Sequence, residues 1–421
     1  MKAKYVTLLL LLICILLPEK GEAIPSFSRK YKTSCITCHS VYPKLTSFGE
    51  SFRMNGYQFP KQEQENIKED RVILGAEAYK KIWPDAVWPN SIPAKSPISL
   101  RGKTSFDGKR DETGDVISEF GLPSLQFLAA STLGKDISIF LGAHLYEEGK
   151  AGNIDRFFIR FSNLLDGFLP EKSLSVRVGQ FIPEVVPFTS NHRGLTQTSY
   201  AFNTYAPSQG DEFVGAYVHE QVPFGIENFQ LGMEFSGLFT PRFRYVGGII
   251  NGGGVQHDTN NKKDFYGRLA YKIGGMAFDG SVKENMPIDK EVSISLGTFA
   301  YRGNGVVGDT INYDIHRIGA DFNLIISQFN LIGGVIGGTD KSEFKTNYHL
   351  FFGEASYMFY PWLIGLFRYE QVKPEDGSSI KRLVPHISAL VVANVKFYVE
   401  TSFDPNDQEL DYFALGLDFA F

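Results

Sequence analysis

The pattern that most restricts this chain is a two-residue alternation, repeated segment after segment from about Ser96 to the last residue. Between Ile137 and Leu145 the odd positions are Ile137, Ile139, Leu141, Ala143 and Leu145, and the even ones are Ser138, Phe140, Gly142 and His144. Leu174, Val176 and Val178 alternate with Ser173, Ser175, Arg177 and Gly179, and Val292, Ile294 and Leu296 with Ser293, Ser295 and Gly297. Val395, Phe397 and Val399 alternate in the same way with Lys396, Tyr398 and Glu400. Period two assigns each set to one face of a strand. A face of aliphatics backed by a face of charged and small residues fits lipid outside and a polar interior, and a sheet can stand in a bilayer only if it closes on itself.

Composition and punctuation agree. The chain has 36 Phe, 20 Tyr and 42 Gly, yet its mean hydropathy is -0.13. A barrel needs only every second residue apolar, so aromatics accumulate while average hydropathy stays modest. Segments are joined alternately by short links (Gly134-Lys135, Gly274-Gly275, Ser327-Gln328, Pro361-Trp362, Ala393-Asn394) and by longer polar stretches (Lys103 to Gly121, Asn251 to Lys263, Lys373 to Ile380). Phe322 to Thr339 is uncharged throughout, but Asn323, Ser327, Gln328, Asn330 and two Gly-Gly pairs make it a hairpin rather than a membrane helix. The final run Phe413, Leu415, Leu417, Phe419 and Phe421 ends on an aromatic, which resembles the assembly signal of bacterial outer-membrane proteins. The expected fold is an all-β transmembrane antiparallel β-barrel of about 16 strands. A secreted β-sandwich or propeller is the soluble alternative.

The other end sets the compartment. Lys2 and Lys4 precede an apolar run from Val6 to Leu17, then Pro18 and the small residues Gly21 and Ala23, the layout of a secretory signal peptide over residues 1–23. Cys14 would leave with it, and of three cysteines Cys35 and Cys38 remain. Two cysteines three positions apart exclude a disulfide-stapled secreted fold. A net charge of -5 without a basic cluster excludes a nucleic-acid partner.

Directly after the leader stands Ser34-Cys35-Ile36-Thr37-Cys38-His39. C-x-x-C-H is the attachment spacing of haem c: both thiols form thioethers, and the adjacent imidazole becomes the proximal iron ligand. A thioredoxin-like pair would need a βαβ context, and structural zinc would need two more nearby ligands, whereas no Cys or His lies between residues 40 and 143. Pro43 and Gly56 bracket a short helix whose Leu45, Phe48 and Phe52 stripe either covers a haem face or docks on the barrel wall. For the sixth ligand three options stand. One is Met54, which points away from that stripe; another is a histidine from the barrel, with His144, His316 and His349 phased inward; the third is an open position. The expected layout is a monohaem segment over 24–60, a linker over 61–95 and the barrel over 96–421.

These residues resemble the fused monohaem cytochrome–porins, outer-membrane iron oxidases of iron-oxidising bacteria. The likeness is specific over Pro25 to about Phe59: Phe27 and Arg29, then Cys35, Cys38 and His39, then Pro43, Leu45, Phe48-Gly49, Phe52 and Gly56-Tyr57. Beyond that it rests on architecture. Lys30-Tyr31-Lys32-Thr33-Ser34 replaces a Gln-Thr-Gly-like run, and Glu50 stands where a basic residue is common. The resemblance implies one covalent haem c, extracellular Fe(II) as electron donor and a periplasmic c-type cytochrome as acceptor, an Fe(II):cytochrome c oxidoreductase. It leaves open a conduit for another donor or acceptor. A diffusion porin with a structural haem is the reading from a different class. Acidic Asp107, Asp111, Glu112 and Asp115 read as a solvated loop. Ser190, Asn191 and His192 fall in a segment from Pro183 to Gly210 that reads as a lumen-folded loop rather than a hydrolytic site.

Overall fold

The computed structural model describes residues 26–74, 90–94, 96–110, 115–147, 149–189, 193–205, 225–254, 262–282, 290–307, 311–341, 345–406 and 410–421. The leader, Asp111, Glu112, and Ser190 to His192 lie outside them. The N-terminal segment holds helix α1 (Ser26–Tyr31), a 3-10 turn at Cys35–Thr37, the hairpin β1 (His39–Val41) and β2 (Lys44–Leu45), and helix α2 (Ser47–Met54). The expected linker is itself structured: helix α3 (Glu63–Asn66) precedes a second small hairpin, β3 (Arg71–Leu74) with β4 (Asn90–Pro93).

The barrel opens with β5 (Ile98–Arg110), β6 (Val116–Leu133), β7 (Ile137–Glu147), β8 (Lys150–Ala151), β9 (Ile154–Phe161) and β10 (Ser175–Phe181). It continues through β11 (Gln230–Thr240), β12 (Phe243–Ile250), β13 (Asp264–Gly274), β14 (Val292–Val307), β15 (Ile311–Ile326) and β16 (Phe329–Lys341). It ends with β17 (Lys345–Tyr360), β18 (Leu363–Pro374), β19 (Ile380–Val392), β20 (Val395–Phe403) and β21 (Leu410–Ala420). Every neighbour is antiparallel, and β21 pairs with β5 from Tyr412↔Lys109 to Ala420↔Arg101, closing the cylinder. Both β8 and β9 pair with β7, so they form one interrupted stave and the barrel has 16. Closure leaves no open edge, which is what permits a sheet to stand in lipid.

The alternation resolves as expected along most staves. Val292, Phe397 and Leu415 are exposed on the outer face, while Ser293, Lys396 and Asp418 are buried in the lumen. Around the short turns an outward aromatic belt forms, with Tyr360 stacked on Trp362 at 5.5 Å, Phe239 on Tyr245 at 4.7 Å and Phe419 on Phe421 at 6.2 Å. Such belts mark the level of the lipid headgroups. Among the described residues no helix is long and apolar enough to cross a membrane; the strands do so instead.

Three local expectations are corrected. Lys103 to Gly121 is extended strand to Arg110 and again from Val116, with Ser105 opposite Gly121 and Asp107 opposite Glu119, because backbone pairing continues above the lipid. Gly274-Gly275 is no two-residue turn, since β14 begins only at Val292 and residues of the connection cross the mouth to meet α2. His316 and His349 face outward, exposed on staves whose buried residues are Ile315, Arg317, Tyr348 and Leu350. Phase misled there because the inner face of β15 to β18 is partly apolar. Ile315, Ile332, Ile336, Leu350, Phe352 and Val372 form one cluster with Phe188, Tyr200, Phe202 and Tyr205 of a loop folded into the lumen.

That loop is the expected one. Barrel carboxylates hold its backbone: Glu400 accepts from Gln197 N (2.8 Å) and Thr198 N (2.7 Å), and Glu370 from Ala201 N (2.6 Å). Tyr200 donates to Glu354 at 2.9 Å. The uncharged stretch from Phe322 is a hairpin, turning at Ser327-Gln328 between β15 and β16.

Candidate functional site in the barrel lumen

The N-terminal segment sits inside the barrel at the mouth that carries the short turns. Gln58 Nε2 donates to the Lys135 carbonyl (2.7 Å) in the β6–β7 turn, and Lys172 Nζ to the Pro60 carbonyl (2.7 Å). Tyr42 donates to the Asp418 carbonyl, and Ser51 Oγ to the Ala277 carbonyl at 3.1 Å. Short turns are the periplasmic ones in such barrels, so this mouth faces the periplasm.

Within the segment, local chemistry fixes the cysteine turn. Thr46 caps α2, its Oγ1 accepting from Gly49 N at 3.1 Å, and its own N donates to the Cys38 carbonyl at 2.9 Å. Gly49 is required here because a Cβ would overlap that same carbonyl. Thr33 and Thr37 hydroxyls meet at 2.6 Å across the turn. His39 Nδ1 lies 3.2 Å from the Pro43 carbonyl, so in the tautomer where Nδ1 donates, Nε2 carries the lone pair, the arrangement that orients a metal-ligating imidazole.

Cys35, Cys38 and His39 all line one cavity of about 310 Å³ between the segment and the barrel wall. Burial pushes the Cys38 thiol up to about 12 and also raises that of Cys35, so both are neutral thiols rather than the low-pKa thiolate of a redox pair. Burial pushes His39 down to about 4, against the raising effect of the Pro43 carbonyl, keeping the imidazole neutral. Among the described residues no group of three or more His, Cys, Asp or Glu is disposed to hold a bare metal ion.

The walls are aromatic and cationic. Phe27 stacks on Tyr57 at 5.6 Å, Tyr57 on Phe140 of β7 at 5.1 Å, and Phe140 on Phe158 of β9 at 5.6 Å. The expected helix starts only at Ser47, because Lys44 and Leu45 pair back onto β1 as β2; Leu45 and Phe52 line the cavity all the same, whereas Phe48 turns aside against Phe59 at 5.1 Å. Arg156 lies over Phe140 at 5.0 Å and Arg177 over Phe181 at 4.1 Å. The Nε atoms of both arginines are buried without a hydrogen-bond partner among the described residues. Arg177 already pairs with Glu234 at 2.7 Å, whereas Arg156 has no ion pair among the described residues, and such a cation on a cavity wall fits an anionic group within reach. A porphyrin needs this combination: flat apolar walls, two thiols, an oriented imidazole and cations for its acidic edge.

The sixth-ligand candidates separate. Met54 is not on this cavity; it lines a second one beside Lys44, Ser47 and Glu50, as the opposite face of α2 dictates. His144 faces inward as expected but is held by Glu147 (3.0 Å) and Asp155 (3.1 Å). His316 and His349 are on the outer wall. The arginines were not legible in sequence, since each comes from a different stave and none has a local motif.

Neither a protein-family profile nor a curated protein sequence matches the chain. Solved structures do. The anion-selective porin from Comamonas acidovorans superimposes with a TM-score of 0.55 at 13% identity, 78% of this chain covering 100% of that one. The fold is that of an outer-membrane porin. A loop L8 deletion mutant of OmpT, an outer membrane protein of Vibrio cholerae, gives a TM-score of 0.50 at 10% identity, covering 78% of this chain and 99% of that one. Salmonella typhi OmpF, in complex with daunomycin, gives 0.50 at 13% identity, covering 77% and 98%. With the closed barrel and its apolar outer wall, these neighbours locate the chain in a bacterial outer membrane.

Proposed function

We propose that this barrel is a cytochrome–porin that moves single electrons across the outer membrane, taking them from extracellular Fe(II) and passing them to a periplasmic c-type cytochrome. What supports this is the meeting of both thiols and the His39 imidazole on one aromatic, arginine-walled lumen cavity at the periplasmic mouth. Cys35 and Cys38 would hold haem c through two thioethers, with His39 Nε2 as proximal ligand and Arg156 and Arg177 at the acidic edge. Haem so held supplies a one-electron couple inside the barrel. The protein's own part is positional. The Pro43 carbonyl fixes the imidazole, Thr46 and Gly49 fix the cysteine turn, and the segment with its lumen loop fills the cylinder.

The test is a visible spectrum of protein matured in a host competent for haem c attachment, followed by titration with Fe(II). A c-type spectrum reduced by Fe(II) supports the reading. A c-type spectrum that Fe(II) leaves oxidised removes iron as donor and favours a conduit for another couple. The porin fold favours a second reading, a diffusion pore with structural haem. That reading requires solute flux in liposomes, undiminished when His39 is replaced.

A further inference from the structure

The outer wall carries a feature that electron transfer does not use. Arg302 on β14 stands directly opposite His316 on β15, and His349 on β17 directly opposite Lys373 on β18. Thr339 of β16 lies between, opposite His316 on one side and Asn347 on the other. All four basic residues are exposed on the outward face and line one open groove of about 810 Å³. None of the four side chains is in an ion pair with a described residue. Glu375, the carboxylate that lines this groove, accepts from Asn347 N (3.2 Å) and Nδ2 (2.8 Å).

Height on the wall decides what meets the groove. From His349 to the aromatic belt at Tyr360 is about eleven residues, roughly 28 Å along the membrane normal at about 3.3 Å per residue and a tilt of about 40°. The apolar band of such a barrel is about 25 Å tall. Just beneath the basic row, Ile318, Val335 and Phe351 are exposed, 65%, 54% and 45%, as lipid-facing residues are. The row therefore lies at the headgroup level of the outer leaflet, directly above acyl chains. A ligand complementary to this wall has a multiply anionic head over several hydrocarbon tails.

We propose that the outer face of β14 to β18 is a binding site for a phosphorylated, multiply acylated glycolipid of the outer leaflet. Arg302 and Lys373 meet its phosphates, the two histidines and Thr339 add donors, and its acyl chains lie on Ile318, Val335 and Phe351. The site is independent of the haem segment.

The probes are bisphosphorylated lipid A, its fully dephosphorylated form and phosphatidylglycerol, each added to the purified full-length barrel in detergent and counted by native mass spectrometry. Bisphosphorylated lipid A is expected to bind at low stoichiometry and more tightly than the other two. In Arg302→Gln/Lys373→Gln that binding should fall about thirty-fold, near fivefold for each basic side chain at a membrane surface. Heat-modified gel migration confirms that the variant barrel is closed. Equal binding by the variant, or by dephosphorylated lipid A, overturns the proposal. So does equal capture of phosphatidylglycerol, which would mark generic anionic attraction. Dissociation of a native oligomer by the two substitutions without change in lipid count would assign the wall to a second copy of the chain instead.

Discussion

Arg53 of the N-terminal helix and Glu184 of the lumen loop face each other through two parallel contacts, each 3.2 Å, inside the barrel. The same carboxylate takes a second fork from Arg244 on β12, at 2.6 and 3.1 Å. One side chain thus ties the cysteine-bearing segment, the loop and the wall together, and the surrounding arginines hold the Glu184 carboxyl well below its usual range.

Glu184→Gln leaves the buried Arg244 guanidinium without its anion and Arg53 with Glu50 alone, at 2.9 Å. Removing one partner of a buried, hydrogen-bonded pair costs on the order of 3–5 kcal/mol. The barrel, held by its ladders, should stay closed while the segment loosens. Hydrogen exchange is expected to speed up over residues 26–66, 182–189 and 193–205 and to remain slow in β14 to β18. Unchanged exchange in the segment would show that Glu184 does not tie it to the wall and that Glu50 suffices for Arg53.

Gly49→Ala drives a methyl into the Cys38 carbonyl, where Thr46 N and α2 already crowd. Overpacking of this kind costs about 1–3 kcal/mol and must shift either the helix or the cysteine turn. Covalent haem yield, read by haem stain against total protein, should drop in the variant, while Gly253→Ala, whose added methyl meets open space, should leave it intact.

How far the sequence foretold these features depends on distance along the chain. Local signals carried in part: alternation alone orients Ser293, Lys396 and Asp418 inward, and a helix does end just before Gly56, but it starts at Ser47 behind the Thr46 cap, with Pro43 in the β1–β2 turn and Leu45 on β2. What failed depended on what else occupied the lumen. A polar-in phase points His316 and His349 inward, yet the loop bearing Phe188 and Tyr200 makes that inner wall apolar. The cavity arginines, from β9 and β10, are brought to Cys35 only by barrel closure and by insertion of the segment, events with no sequence signature. The polar run after Lys103 has the composition of a loop, and only its backbone pairing with the stretch to Gly121 makes it strand.

Met54→Leu tests the helix phase. Met54 lines the cavity beside Lys44 and Ser47, apart from the one that Cys35, Cys38 and His39 line. A methionine ligand raises haem potential, so its loss would lower the potential and change the spectrum. Neither should move. A shift in the Soret band or midpoint in Met54→Leu would require α2 to rotate on loading.

The wall arginines give the sharpest electrostatic expectation. Arg156 and Arg177 each present a buried Nε with no hydrogen-bond partner among the described residues to the space beside His39. A fixed positive charge near a redox centre favours the state with one more electron, so neutralising it lowers the midpoint potential. At an effective dielectric of about 20 and a separation of about 10 Å, one charge amounts to roughly 1.7 kcal/mol, or on the order of 70 mV. Arg156→Gln should lower the midpoint by tens of millivolts with the c-type spectrum and covalent yield retained; Arg177→Gln should lower it too, by leaving the Glu234 carboxylate, 2.7 Å from Arg177, without its cation. Lys381→Gln, half-buried on β19 and away from this cavity, is the charge-matched control and should leave the potential where it was. A potential that drops equally in all three variants would reflect overall charge and remove the two arginines from the site.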